Sequence, residues 1–351
     1  MSSNYKVASL FCGCGGIDLG LEGGFKLPYH DESIPPLGFE VVWANDYNPK
    51  AIESYRANFR GANHYSICGD IVKIVEMARG YRDERANDFA LNEPLRTGCD
   101  FDCHNRFLFP ATGEIDLVTG GFPCQPFSLA GKRLALDDPR GKLYQAMLQA
   151  VDMLKPQIFL AENVKGIKTA KGDVIKQIEE DFDGIGYRLD HDVLVASNFG
   201  VPQRRERVIM IGTKKSNPPF KFNSIKAVYP PVFLGRAIGH LAHHTEFVTG
   251  DLMHIWSKAK ENKGQGNSTC NKNGFAPTMR AEHHGNIEFH YDGKRRLSVR
   301  EAAFIQSFPE SFKFRNSATD AYRQIGNAVP PLMAWHIGKG IKQYLDSLQK
   351  E

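Results

Sequence analysis

The chain has 351 residues, 42% of them hydrophobic and 24% charged, with a formal net charge of +4. That length accommodates one large domain plus a smaller one. No apolar run is long enough to span a bilayer, and Met1-Ser2-Ser3-Asn4-Tyr5-Lys6 carries no signal-peptide core, so a cytoplasmic protein with no membrane partner is expected. Seven cysteines, an odd number, stand at 12, 14, 68, 99, 103, 124 and 270, which argues against a disulfide framework. Cys99, Cys103 and His104 form a small cluster, but no second pair follows at ligand spacing and no metal is expected.

Strands and helices alternate over the first 212 residues, the pattern of an α/β protein. Val7-Ala8-Ser9-Leu10-Phe11 is a short apolar strand broken by Gly13, Gly15 and Gly16, with a helix from Ile17 to Glu22. A second strand covers 39–44. Asn48 as N-cap and Pro49 at the first helical position open a helix through Phe59. A third strand is predicted at 64–70 and a fourth at 115–119, separated by a polar inserted loop at about 80–113. Leu143, Met147, Val151 and Leu154 form a helical stripe stopped by Pro156. Further strands are predicted at 158–161, 188–196 and 206–213. From 214 to 294 the alternation is lost, and a smaller, irregular β-rich domain is expected. Ser298-Val299-Arg300-Glu301 reads as a capping box, and one helix closes the chain from Pro330 to about Leu348.

Charge is unevenly spread. Thr213 to Arg296 holds 13 Lys/Arg against 6 Asp/Glu, a net of +7 that leaves −3 elsewhere, together with seven of the twelve histidines. Such a basic module points to a polyanion as partner, although an ordinary solvated surface has the same composition.

The chemistry concentrates at strand ends, where ligands bind in open α/β sheets. In Gly120-Gly121-Phe122-Pro123-Cys124-Gln125-Pro126-Phe127-Ser128, two prolines mount a thiol rigidly just after a strand. The turn Phe11-Cys12-Gly13-Cys14-Gly15-Gly16 allows close approach of a ligand to backbone, or is simply a tight strand-to-helix turn. Asp46, followed by Tyr47, and Asp70 end the next two strands. They suit ribose hydroxyls and an adenine amino group, or equally the capping of helices. Glu162 ends the fifth strand on the rim that holds Cys124, where a half-buried carboxyl can retain a proton. In an extended Gln203-Arg204-Arg205-Glu206-Arg207, the residues Gln203, Arg205 and Arg207 share one face; a charged edge strand is the plainer reading.

Taken in order, Gly-Phe-Pro-Cys124-Gln-Pro-Phe-Ser, Glu162-Asn163-Val164, Gln203-x-Arg205-x-Arg207 and Gly326-Asn327-Ala328-Val329-Pro330 resemble the bacterial DNA (cytosine-5)-methyltransferase family over nearly the whole chain. The resemblance implies a Rossmann-like methyltransferase sheet at 1–213 and 320–351, a target-recognition domain at 214–294 and a hinge at 295–319. It implies S-adenosylmethionine as cofactor, S-adenosylhomocysteine as product and double-stranded DNA as partner. Phe11, Gly13, Gly15 and Gly16 would line the cofactor pocket. Asp46 would hold the ribose, Tyr47 and Ile71 would flank the adenine that Asp70 contacts, and Pro123, Leu143, Asn327 and Val329 would complete the pocket. Cys124 would add to C6 of a flipped cytosine while Glu162 serves N3 and Arg205 steadies O2; Gln203, Asn163 and Arg207 belong to the same catalytic set. Gln265 would enter the hole left in the duplex, and Ser128, Thr278 and Arg280 would contact DNA. A monomer working beside a restriction endonuclease is the expected biology. Competing readings are an RNA cytosine methyltransferase on the same fold, a DNA-binding protein without activity, and a dinucleotide-dependent dehydrogenase suggested by the glycine turn.

Overall fold

A computed structural model describes residues 4–59, 64–83, 109–122, 141–169, 173–241, 252–256, 267–281 and 287–350. Their order is β1 (Tyr5–Leu10), α1 (Gly16–Glu22), β2 (Phe39–Asp46), α2 (Pro49–Asn58), β3 (Tyr65–Cys68), α3 (Ile71–Asp83), β4 (Leu117–Gly120), α4 (Gly141–Leu154), β5 (Ile158–Val164), α5 (Val174–Gly184), β6 (Tyr187–Val195), β7 (Glu206–Lys214), α6 (Leu234–Ile238), α7 (Val299–Ile305), α8 (Ala318–Asn327) and α9 (Pro331–Leu348). The seven strands form one sheet in the order β3-β2-β1-β4-β5-β7-β6. The first five are parallel to one another, and β7 runs antiparallel to both β5 and β6. The strand order reverses between β1 and β4, which puts the topological switch point, the usual ligand crevice of such sheets, at their C-terminal ends.

Residues of β4, β5 and β7 alternate between two cores, whereas in β2 the consecutive Val42 and Trp43 share one core at a register shift against β1. Val7, Leu117, Ile158 and Ile209 join the cluster on one face, while Ala8, Val118, Phe159 and Met210 join the cluster on the other. A sheet covered on both faces requires this period-two division of apolar side chains. The second face is closed by α3, α4 and α5, with Phe159 stacked on Phe182 at 4.2 Å. The first face is closed by α1 and α9. A Cβ at Gly20 would lie 2.4 Å from the Pro331 carbonyl oxygen, so the two helices meet backbone to backbone, and Trp335 Nε1 donates to the Pro35 carbonyl at 2.7 Å. The terminal helix thereby returns to the N-terminal strand and brings the loop before it to the switch point.

The local signals read in the sequence act as expected. Asn48 Oδ1 accepts from the Lys50 amide, and Ser298 and Glu301 form both bonds of a capping box. The described part of 214–294 is sparse in regular structure, with isolated bridges such as Thr269 with Phe289 and Phe289 with Arg296. It also contains the short helix α6, which sequence patterning missed. Ile225, Leu234, Ile238, Met279 and Ile287 pack into the same apolar cluster as α7 and α9.

Candidate active site

The turn after β1 is held in an unusual backbone shape. Phe11, Gly13 and Gly15 have φ of 53°, 56° and 94°. For an aromatic residue such as Phe11, the left-handed region costs of order 1–3 kcal/mol and persists only where its surroundings impose it. Those surroundings are visible: Cys12 N donates to Asn45 O, Gly15 N donates to Cys12 O, and Gly13 N donates to Asp46 Oδ2, each at 2.9 Å. A Cβ on Gly13 would meet nothing, so the turn opens there onto free space, whereas one on Gly16 would strike Val329 O at 2.4 Å. Gly15 differs from the expectation that it lines the pocket. Its Cβ position lies 2.2 Å from the Phe59 ring, on the side where Tyr55 and Phe59 stack, and it is absent from the cleft wall. Gly15 is needed for packing and for its positive φ.

Below the turn runs a buried polar chain. Thr119 Oγ1 donates to Ser9 Oγ at 3.2 Å, while Ser9 Oγ and the Tyr55 hydroxyl each donate to Asp18 at 2.7 Å. Burial pushes the Asp18 carboxyl up to about 6, although both donors oppose the shift.

A cleft of about 1640 Å³ opens over this turn. One end is walled by Phe11, Gly13, Gly16, Asp46, Tyr47, Asp70, Ile71, Leu143, Asn327 and Val329. Asp46, raised above the ordinary carboxylate range by burial, accepts from the Gly13 and Asn48 amides. Asp70 Oδ1 caps α3 by accepting from the Val72 amide at 3.0 Å. Both carboxylates therefore hold backbone while facing the cleft, which joins the two roles the sequence left open. Tyr47 is 77% exposed, an apolar ring kept in solvent beside buried Ile71. Cys12 also faces the cleft, and Cys14 sits beneath it; burial raises both thiols well above the ordinary range.

The other end is built by β5 and β7. Glu162 and Arg207 stand on adjacent antiparallel strands, two residues out of direct register, and Arg207 Nε donates to Glu162 Oε1 at 2.7 Å with both side chains 12% exposed. Glu162 Oε2 lies 3.3 Å from the place a Cβ would take on Gly121. Asn163 Nδ2 donates to the Phe122 carbonyl at 2.9 Å. Asn163 thus ties β5 to the backbone leading into Pro123, and acts on the site by holding that backbone. Thr278 and Arg280 also line the cleft, as do Arg204 and Arg323, which sequence reasoning did not single out. The Thr278 hydroxyl donates to Arg204 O.

The shared face expected for Gln203, Arg205 and Arg207 does not form. Strand β7 begins only at Glu206, so the alternation on which that expectation rests is broken. Gln203 is fully buried away from the cleft, bonded to Gln306 and to the Met279 amide. Arg205 borders the cleft but spends Nη1 on Met279 O at 2.9 Å and Nη2 on Gly326 O at 2.8 Å; its burial and nearby Arg207 lower its proton affinity. Of the two arginines, Arg207 is the one that meets the Glu162 carboxylate.

Pro123, Cys124, Ser128 and Gln265 lie outside the described residues. Cys124 follows Gly121 by three residues, a reach of at most ~11 Å at full extension. The chain therefore enters the Cys124 segment beside the Glu162 carboxyl.

The family model for C-5 cytosine-specific DNA methylase matches residues 5–233 and 238–343. The chain belongs to the C-5 cytosine-specific DNA methylase family. The type II methyltransferase M.BspRI of Lysinibacillus sphaericus is 32% identical over 397 residues, covering 100% of this chain and 84% of that protein. M.NgoFVII of Neisseria gonorrhoeae, also a type II methyltransferase, is 30% identical over 382 residues, covering 97% and 87%. A crystal structure of a prophage-encoded E. coli protein superposes with a TM-score of 0.68 at 24% identity, covering 98% of this chain and 100% of that one. As a DNA methylase of this family the chain is a methyltransferase, and among the described residues one cleft is lined by both the glycine turn and the Glu162–Arg207 pair. Among the described residues no helix is long and apolar enough to cross a membrane, and no metal-binding cluster occurs.

Proposed function

We propose that this DNA cytosine-5 methyltransferase binds S-adenosylmethionine at the Asp46 end of the cleft and a cytosine flipped from duplex DNA at the Glu162 end. The observation carrying this reading is the Glu162–Arg207 pair, 2.7 Å apart, at the rim where the chain enters the Cys124 segment. The Asp46 end fits a nucleoside. It offers a carboxylate for hydroxyls, an exposed Tyr47 ring and buried Ile71 on its wall for a flat base, and a wall at Gly13 free of any side chain. When bound, the cofactor supplies an electrophilic methyl on its sulfonium.

C5 of cytosine is too electron-poor to take that methyl unaided. The Cys124 thiolate forms a bond to C6, Glu162 hydrogen-bonds or protonates N3, and the electron pair displaced from the C5–C6 double bond makes C5 nucleophilic. Arg207 keeps the Glu162 carboxyl oriented and offers positive charge to O2. This reassigns to Arg207 the contact that sequence reading gave to Arg205, whose terminal nitrogens already serve two backbone carbonyls. After C5 has gained the methyl, leaving S-adenosylhomocysteine, it loses its proton to solvent water, any proton given to N3 returns to Glu162, and the C6–S bond breaks, freeing 5-methylcytosine and the thiolate.

Residues 214–294 would recognise the target, with Thr278 and Arg280 on the cleft rim, Ser128 against the backbone or base, and Gln265 filling the vacated stack. The type II relatives support a role in protecting host DNA beside a cognate endonuclease; the protein would act in the cytoplasm as a monomer. Incubating the protein with duplex DNA carrying 5-fluorocytosine at the target and S-adenosylmethionine should trap a covalent protein–DNA adduct through Cys124, because fluorine cannot leave C5 as a proton does. Bisulfite sequencing of an expressing host identifies that target. Absence of an adduct at a verified site, or methylation of tRNA in place of duplex DNA, would overturn the reading.

A further inference from the structure

Gln306 caps α7 and is completely buried, outside the cleft wall. Its amide nitrogen donates to Ile325 O at 3.0 Å and to Ala328 O at 2.7 Å, and its Oε1 accepts from Gln203 Nε2. Gln203 is equally buried, and its own Oε1 accepts from the Met279 amide at 3.1 Å. Arg205 runs alongside, joining Met279 O to Gly326 O. At Gly326 a Cβ would lie 2.6 Å from the Arg280 carbonyl carbon, so the two backbones touch. One side of this clasp is 276–281, which carries Thr278 and Arg280. The other is 325–329, which carries Asn327 and Val329 into the Asp46 end and rests on Gly16.

We propose that Gln306 is a positioning residue that couples the two ends of the cleft, so that filling the Asp46 end orders the 276–281 rim before DNA arrives. The physical reason lies in saturation. Both N–H groups and the carbonyl oxygen of Gln306 are engaged, so its amide cannot turn without stranding polar groups in a dry interior. Any displacement of 325–329 must therefore be passed to Gln203 and on to Met279. The coupling rests on the reading of the Asp46 end as the cofactor pocket, and the test separates the two.

Hydrogen exchange of the full chain is measured with and without S-adenosylhomocysteine, in the absence of DNA. Slowing is expected at 11–16 and 323–329, and also at 276–281, there by roughly fivefold or more. In Gln306→Ala the slowing at 276–281 should fall to about twofold or less, Arg205 and the Gly326–Arg280 contact carrying the remainder, while that at 323–329 persists, a separation that general destabilisation would not produce. Gln306→Met, of similar length but without a donor or acceptor, removes both donated bonds while filling the space, and gives the same reading should the alanine variant fail to fold. Unchanged exchange at 276–281 in the wild type, or slowing there that is undiminished by Gln306 substitution, overturns the proposal. No slowing at 11–16 would instead overturn the cofactor pocket itself, and the coupling with it.

Discussion

The two ends of the cleft use polar groups in opposite ways. At the Asp46 end, carboxylates bind backbone amides while still facing the cleft, and the glycine turn offers open space to a ligand. At the other end, Gln203, Gln306 and Arg205 turn their polar atoms toward backbone carbonyls and one another, and Glu162 with Arg207 is left at the cleft surface. Residues of one chemical type, two positions apart, thus divide into a strut and a reactive partner according to which neighbours take their hydrogens. A buried guanidinium whose terminal nitrogens are already bonded gains little by leaving them for a substrate.

The largest expected break in this comparison is at Cys124. Cys124→Ser should lower methyl transfer by more than ~10³-fold while changing DNA affinity by less than ~3-fold, because only the covalent step is removed; single-turnover methylation and DNA binding measure the two. Next come the two arginines. Arg207→Lys should lower kcat by about 10²-fold with an unchanged unfolding midpoint, because a lysine loses the guanidinium geometry at Glu162. Arg205→Lys should instead cost about 2–4 kcal/mol in urea unfolding, since Met279 O or Gly326 O is left unpaired in the interior. The reverse pattern would show that Arg205 serves the base after all.

Asp46→Asn probes the opposite end. It should weaken S-adenosylhomocysteine binding about tenfold in calorimetry, the loss of a charge-assisted hydrogen bond, with DNA affinity unaltered. The smallest effect concerns the floor of the glycine turn. Burial raises Asp18 from the ordinary carboxylate range to about 6, and Glu22, half-buried and near Asp18, to about 7. A carboxyl whose folded pKa is raised binds its proton more tightly when folded. Its contribution to stability is therefore full below about pH 4 and lost as pH rises through about 6. Asp18→Asn should flatten the fall in urea stability between pH 4 and 6 by roughly 1–3 kcal/mol. A wild-type curve that rises with pH in this window, with no change of slope in the variant, would contradict the account.

Local patterns were legible because they need only neighbours along the chain. The alternation of strands and helices, the Asn48 cap, the Ser298–Glu301 capping box and the motif order from Phe11 to Val329 are all visible without coordinates. The return of the last helix was implied by the family resemblance alone, which joins 320–351 to the sheet domain. Gln306 was not legible: a glutamine after an apolar helix looks like any helix end, and its significance arises from Gln203, 103 residues away. Nor was the fate of Gly15, which depends on where the Tyr55–Phe59 stack packs.

By itself the sequence determined the family, through the resemblance of its ordered motifs, and the alternating strand–helix order with the strand ends at which chemistry-bearing side chains gather, since hydrophobic period and turn residues act locally. Only the tertiary structure decided which arginine faces Glu162, because the phase of β7 starts at Glu206 and the carbonyls that capture Arg205 come from segments 74 and 121 residues distant. Long-range backbone acceptors leave no periodic mark in a sequence, so the choice between holding the fold and meeting the substrate becomes visible only when the chain is folded.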